Sequence, residues 1–298
     1  MKREIQITSR QSGSVRNAIA QLAVVVCIAA LSLIATASPA AAAVTIGQVG
    51  SSPGLGCANI NGLQPTVTSG NGYVVPAIPP ASSLVITSWS TSANPGAGPL
   101  ALRVYRFNSG MNYTAVGIEG PRALTGGVIN TFDGINVPVR PGDVLGVNAG
   151  SATNCTFSAP GETFLFRPSS AGESGDFVTI ADLRANISAV VEPDNRFVLG
   201  SVDRNKKKGT ATISVEDIPN PGELALSGNG VKTASTGEAV IAKTVSAPGD
   251  VKLKIRAKGK KKRKLNENGK VKITPNVTFT PTGGDPNTQS RKLKLKKR

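Results

Sequence analysis

Short runs of β-branched, aliphatic and aromatic residues, each ended by Gly, Pro, Asn or Ser, recur along the chain from Val44, and this rhythm restricts it to an all-β fold. The runs are Val44–Val49, Tyr73–Val75, Leu84–Thr91, Leu100–Phe107, Tyr113–Ile118, Val128–Phe132, Val144–Val147, Thr163–Phe166, Phe177–Ile180 and Ile187–Val191. Ile135, Val137 and Val139 alternate with polar or turn-forming residues, the period of a half-buried strand. Arg140-Pro141-Gly142-Asp143 is a turn with a mechanism: Pro presets φ at the first central position and Gly accepts positive φ at the second. No stretch of residues 44–196 carries a helical period. Roughly eight to ten strands, with nearly all the aromatics of this region on them, predict a jelly-roll-like sandwich.

Beyond residue 196 the alternation is cleaner. Val251, Leu253, Ile255 and Ala257 alternate with Lys252, Lys254, Arg256 and Lys258. Val271 and Ile273 alternate with Lys270 and Lys272, and Leu293 and Leu295 with Lys292, Lys294 and Lys296. Pro221-Gly222-Glu223-Leu224 and Pro248-Gly249-Asp250-Val251 repeat the Pro-Gly-acid-aliphatic turn of Pro141, each launching a strand. Seven or eight strands in roughly 100 residues predict an immunoglobulin-like sandwich, with Lys260-Lys261-Lys262-Arg263-Lys264 as a loop.

Charge divides the chain at the same places. Residues 44–199 hold seven Arg, no Lys and nine acids, whereas residues 200–298 hold 23 basic and eight acidic residues. The expected organisation is therefore a leader over residues 1–43, a jelly-roll-like domain over 44–196 and a basic Ig-like domain over 197–298. The leader reads as a signal peptide. Lys2, Arg3, Arg10 and Arg16 precede an almost wholly apolar stretch, and Ala41 and Ala43 supply an A-x-A cleavage site, leaving Val44 as the mature terminus. The rival reading is an uncleaved anchor, because the stretch approaches spanning length. Cys27 lies inside it as apolar filler, and no second hydrophobic span follows.

Export leaves two cysteines, Cys57 and Cys155, in an oxidising compartment, where an even count reads as one disulfide. The alternative, two free thiols in redox work, lacks C-x-x-C spacing.

Several segments resemble a known family. They are Ser69–Ala77, Ile86–Thr91, Leu102–Arg106, Asn130–Phe132, Val137–Gly146 and Asn186–Asp194. Together they resemble a β-sandwich module of exported, largely uncharacterised proteins of high-GC Gram-positive (actinobacterial) bacteria, and Cys57 and Cys155 fit its cysteine pattern. The resemblance implies a fold and a compartment but no activity. Relatives often continue into an Asp/Gly-rich calcium loop; Asn195-Arg196-Phe197 stands here instead, so no calcium site is carried over. Asn205–Thr212, Lys258–Gly269 and Thr278–Gly284 are similar to a lysine-rich module that closes many exported actinobacterial proteins.

The chain has no His, which removes imidazole catalysis and a Ser-His-Asp triad. Of the acids available as a carboxylate pair, Asp143 belongs to its turn and Glu119, Asp133 and Glu162 to exposed loops. No catalytic residue, metal site or cofactor is expected.

Two binding readings remain. In one, Lys252, Lys254, Lys258, Lys260, Lys261, Lys262, Arg263, Lys264, Lys292 and Lys294 merge into a face for an anionic cell-wall polymer. The plainer account is a solvated sheet face whose lysines blunt edge strands. In the other, a glycan stacks on aromatics, with Trp89 and Tyr105 the best candidates beside Tyr73 and Tyr113, and the lysine domain is a spacer. The plainer account of those rings is core packing. Nucleic acid is not expected, since Phe197 and Phe279 are the only aromatics of the basic region. Nothing in the sequence specifies an oligomeric state.

Overall fold

The computed structural model describes residues 43–50, 56–232 and 241–298; the expected leader, Cys27 included, lies outside the described residues up to position 42. The first half is built from β1 (Val44–Gln48), β2 (Gly56–Cys57), β3 (Ile60–Leu63), β4 (Leu84–Ser92), β5 (Leu100–Ser109), β6 (Asn112–Arg122), β7 (Ile129–Val139) and β8 (Val144–Ala149). There follow β9 (Thr153–Asn154), β10 (Thr156–Pro168), β11 (Ser174–Asp176), β12 (Val178–Ala185) and β13 (Ile187–Pro193). One sheet has the order β1-β13-β4-β7 and the other β11-β6-β5-β8-β3-β10-β12, while β2 pairs β9 in a short ribbon. With the β2–β9 ribbon and β10–β12 set aside, the eight remaining strands are shared as β1-β13-β4-β7 and β6-β5-β8-β3, the division of a jelly roll.

Local chemistry positions these strands. At Arg140–Asp143 the amide of Asp143 donates to the carbonyl of Arg140 at 3.0 Å, and Gly142 takes φ 90°. In β4 a bulge at Thr87 interrupts the alternation, because Val191 pairs with Ile86 while Val190 pairs with Ser88. An extra residue re-aims everything after it. Leu84, Ile86, Trp89 and Thr91 are consequently all buried. Leu84, Ile86 and Trp89 pack with Leu102, Val104, Leu145, Val147, Ile187 and Val191, and together these residues fill the space between the sheets. A satellite core of Leu63, Tyr105, Tyr113, Val144, Leu165 and Phe177 forms a separate cluster.

The second half comprises β14 (Val198–Asn205), β15 (Thr210–Ile218), β16 (Gly222–Ser227), β17 (Ile241–Val245), β18 (Gly249–Ile255), β19 (Lys270–Ile273), β20 (Asn276–Pro281), β21 (Asn287–Ser290) and β22 (Leu293–Lys296). Three strands, β14-β15-β18, face four, β17-β16-β20-β21, and β19 pairs β22 alone. Seven strands in two sheets over one core is the immunoglobulin-like architecture. Its core includes Ile213, Val215, Leu224, Leu253, Ile255, Val277, Phe279 and Leu295.

One element departs from expectation. Lys260–Lys264 is not a loop but part of a helix, α1 (Gly259–Asn268). Lys, Arg, Leu and Glu are good helix formers, Leu265 buries the inner face, and Gly269 ends the helix in the left-handed region at φ 65°. With a single apolar anchor in ten residues, the helix leaves no readable period.

The two cores lie in one compact unit. The junction is held by Asn220, which follows β15 and is 1 % exposed. Its Oδ1 accepts from the amides of Ser82 at 2.8 Å and Ser83 at 2.9 Å. Its Nδ2 donates to the carbonyls of Ser83 and Asp194, both at 2.8 Å. Asn220→Ala removes the partner of the Ser82 and Ser83 amides and of the Asp194 carbonyl, while the Ser83 carbonyl keeps the Asp194 amide at 2.9 Å. A loss of about 2–3 kcal/mol in urea unfolding of the oxidised chain is expected; a loss under about 0.5 kcal/mol, the level of an ordinary surface change, would show that the clamp contributes nothing.

Candidate functional site: cationic grooves beside the helix

The strands β19 and β22 bury Val271, Ile273, Leu293 and Leu295 on the inner face, so their alternate lysines must point outward. The register sets Lys270 opposite Lys296 and Lys272 opposite Lys294. Like charges directly opposite across an antiparallel pair destabilise it. Within the second sandwich only one ion pair forms among the described residues, Arg263 with Glu267 at 3.9 Å on α1.

Helix α1 lies beside this ladder and separates two concavities. One, of about 580 Å³, is lined by Lys261, Lys272, Lys292 and Lys294 with Asn229 and Thr274. It runs into a smaller one, of about 270 Å³, to which Lys264 and Lys270 are added. On the other side, a groove of about 410 Å³ is lined by Lys208, Lys232, Lys254, Arg256, Lys262 and Lys297. Among the described residues no carboxylate lines any of the three. Twelve cations around open grooves can hold anions by charge and by ammonium hydrogen bonds, and salt would weaken that hold.

Of the expected polyanion residues, Lys261, Lys264, Lys292 and Lys294 therefore meet in one groove and Lys254 and Lys262 in the other. Lys252, Lys258, Lys260 and Arg263 are exposed and line neither. Sequence reasoning did not place Lys208, Lys232, Arg256, Lys270, Lys272 and Lys297 in the site. Alternation on β18 and β19 signals three of these, Arg256, Lys270 and Lys272. Lys208, Lys232 and Lys297 have no periodic mark and reach the groove only through folding.

The aromatic platform is overturned. Trp89 is 0 % and Tyr105 2 % exposed, so neither offers a face to a sugar, and Tyr73 and Tyr113 are buried as well. The Trp89 indole lies 4.6 Å from the Phe132 ring, and its Nε1 donates to Glu119 Oε2 at 2.7 Å. The Thr87 bulge explains the difference, since unbroken alternation would have pointed Trp89 away from Ile86.

Two acids are also corrected. Glu119 is on β6, not in a loop, and pairs with Arg122. Burial raises its carboxyl pKa, but the hydrogen bonds from Arg122 and Trp89 prevail and hold it below the ordinary value. Glu162 is 3 % exposed and pairs with the buried Arg184.

Cys57 and Cys155 are joined in a disulfide, Cα atoms 5.9 Å apart, beside the β2–β9 ribbon. Among the described residues no cluster of three or more Cys, Asp or Glu could hold a metal ion, and no helix is long and apolar enough to cross a membrane. Compared with known protein families and with curated proteins, the chain matches none.

Proposed function

We propose that this is an exported, non-catalytic protein of the cell envelope, structural or adhesive in role, retained by electrostatic binding of its basic sandwich to an anionic wall polymer. The observation that carries the reading is the lysine ladder. The pairs Lys270–Lys296 and Lys272–Lys294 repel across the strands, and among the described residues no acid in the adjoining grooves relieves them. A bound polyanion would. The leader signals, the disulfide and the resemblance of both halves to exported modules favour the same compartment.

The test uses the full oxidised chain with isolated wall polymer. It should co-sediment at low salt and be released by roughly 0.5–1 M salt, where the Debye length shrinks to a few ångströms. Replacing Lys260, Lys261, Lys262 and Lys264 by Gln should weaken retention while leaving the unfolding midpoint nearly unchanged, because surface charges alter stability by no more than about 0.5 kcal/mol. Absence of binding at low salt defeats the reading. Equal binding to anionic vesicles and to polymer defeats the assignment to the wall.

A further inference from the structure

The spacing of the ladder narrows the class of anion, on the basis of the retention reading above. Lys292, Lys294 and Lys296 follow one another at every second residue, about 6.8 Å apart at the rise of an antiparallel strand. Lys272 and Lys270 stand opposite the last two, and Lys261 and Lys264 of α1 form the facing wall. Lys292 and Lys294 line the groove and Lys296, outside its lining, continues the same strand face, so the positive positions repeat close to every 7 Å by the same rise.

An extended chain covers about 3.5 Å for every three backbone bonds. A phosphodiester polymer with a three-carbon polyol spacer has six bonds between phosphorus atoms, which puts its charges about 7 Å apart when extended. Each phosphate has two non-bridging oxygens, enough for one ammonium from each strand. Lysine is a compact point charge on a flexible stem, so such a row selects charge spacing rather than the planar geometry an arginine fork would demand. A polyuronate carries its carboxylates on rigid rings turned to alternate sides, so successive charges do not fall on one row.

We propose that the groove between α1 and the β19–β22 ladder is a track for a linear phosphodiester polymer with a three-carbon polyol repeat, its phosphates seated between cross-strand lysines.

The experiment titrates the full oxidised chain with synthetic glycerol-phosphate oligomers of increasing length, and with a polyuronate of matched charge. Affinity should climb with each phosphate up to three and then flatten, with a salt slope near −2 at about 0.7 per neutralised site. Lys272→Gln with Lys294→Gln should weaken binding about tenfold and lower the slope by about 0.7. Lys252→Gln with Lys258→Gln, which removes the same charge from exposed positions that line none of the grooves, should change affinity less than about twofold if the track is the site. Thermal unfolding of the ladder variant should stay at or above that of the parent, since repulsion has been removed. Equal affinity for the polyuronate, or equal loss in both double variants, overturns the track and leaves charge-based retention standing. No affinity for any polyanion at low salt overturns both.

Discussion

Replacing Arg184 by Met should destabilise the jelly roll by about 3–5 kcal/mol, because it leaves a buried carboxylate without its cation. Arg184, on β12, is 5 % exposed. Its Nη1 donates to Gln48 Oε1 at 2.6 Å and its Nη2 to Glu162 Oε1. The same carboxylate oxygen accepts from the Thr68 amide at 2.9 Å and hydroxyl at 2.7 Å. Burial alone would push Glu162 up; the Thr68 bonds and the Arg184 guanidinium bring it below its ordinary value.

The sign of the pH dependence follows. A depressed folded pKa contributes stability above the unfolded value of about 4.5, and this stability is lost as pH falls through the folded pKa. In the Met variant, burial would raise the same carboxyl. The gap between parent and variant should therefore be widest near neutrality and narrow in acid. Denaturant unfolding across that range checks it; a gap that does not vary with pH would mean the lost packing of the arginine stem, not the stranded charge, sets the effect.

Removing the disulfide by Cys57→Ala with Cys155→Ala should cost about 4 kcal/mol. The bridge closes a loop with a sequence separation of 98, for which chain entropy gives about 4–5 kcal/mol as an upper value. At about 2–4 °C per kcal/mol for a domain of this size, the midpoint of thermal unfolding should fall by roughly 10 °C. A fall under about 2 °C would show that the unfolded chain is already restricted at these ends or that the native bridge is strained. The loop covers β3 to β9, so reduction should also loosen the β2–β9 ribbon first, visible as faster amide exchange at Cys57 and Thr153, which are paired there.

Much was legible before any coordinate. Period-2 alternation is a local property, so Val251–Ala257, Val271–Ile273 and Leu293–Leu295 declare both a strand and its buried face. The Pro-Gly turn at Arg140–Asp143 needs only the φ preferences of its own residues. The other two Pro-Gly sites differ: Gly222 and Gly249 are themselves the first residues of β16 and β18.

What stayed hidden depends on pairing. A bulge is a relation between strands, so nothing within Leu84–Thr91 alone says that Thr87 is the extra residue and that Trp89 turns inward. Glu162 looks like an exposed charge because Gly161 and Thr163 flank it, and nothing around Arg184, between Leu183 and Ala185, names its partner. Only the meeting of β10, β12 and the Thr68 segment buries them together. The helix at Lys260 escapes notice because one leucine cannot mark a period. The sequence by itself determined most strand-forming segments, the buried faces of those that alternate without a bulge, the cysteine pair and the concentration of positive charge, because each follows from residue type and local spacing. Tertiary structure alone decided which lysines share a groove, since Lys261 and Lys294, or Lys208 and Lys262, are far apart in the chain and become neighbours only when α1 docks through Leu265 and β22 returns beside β19.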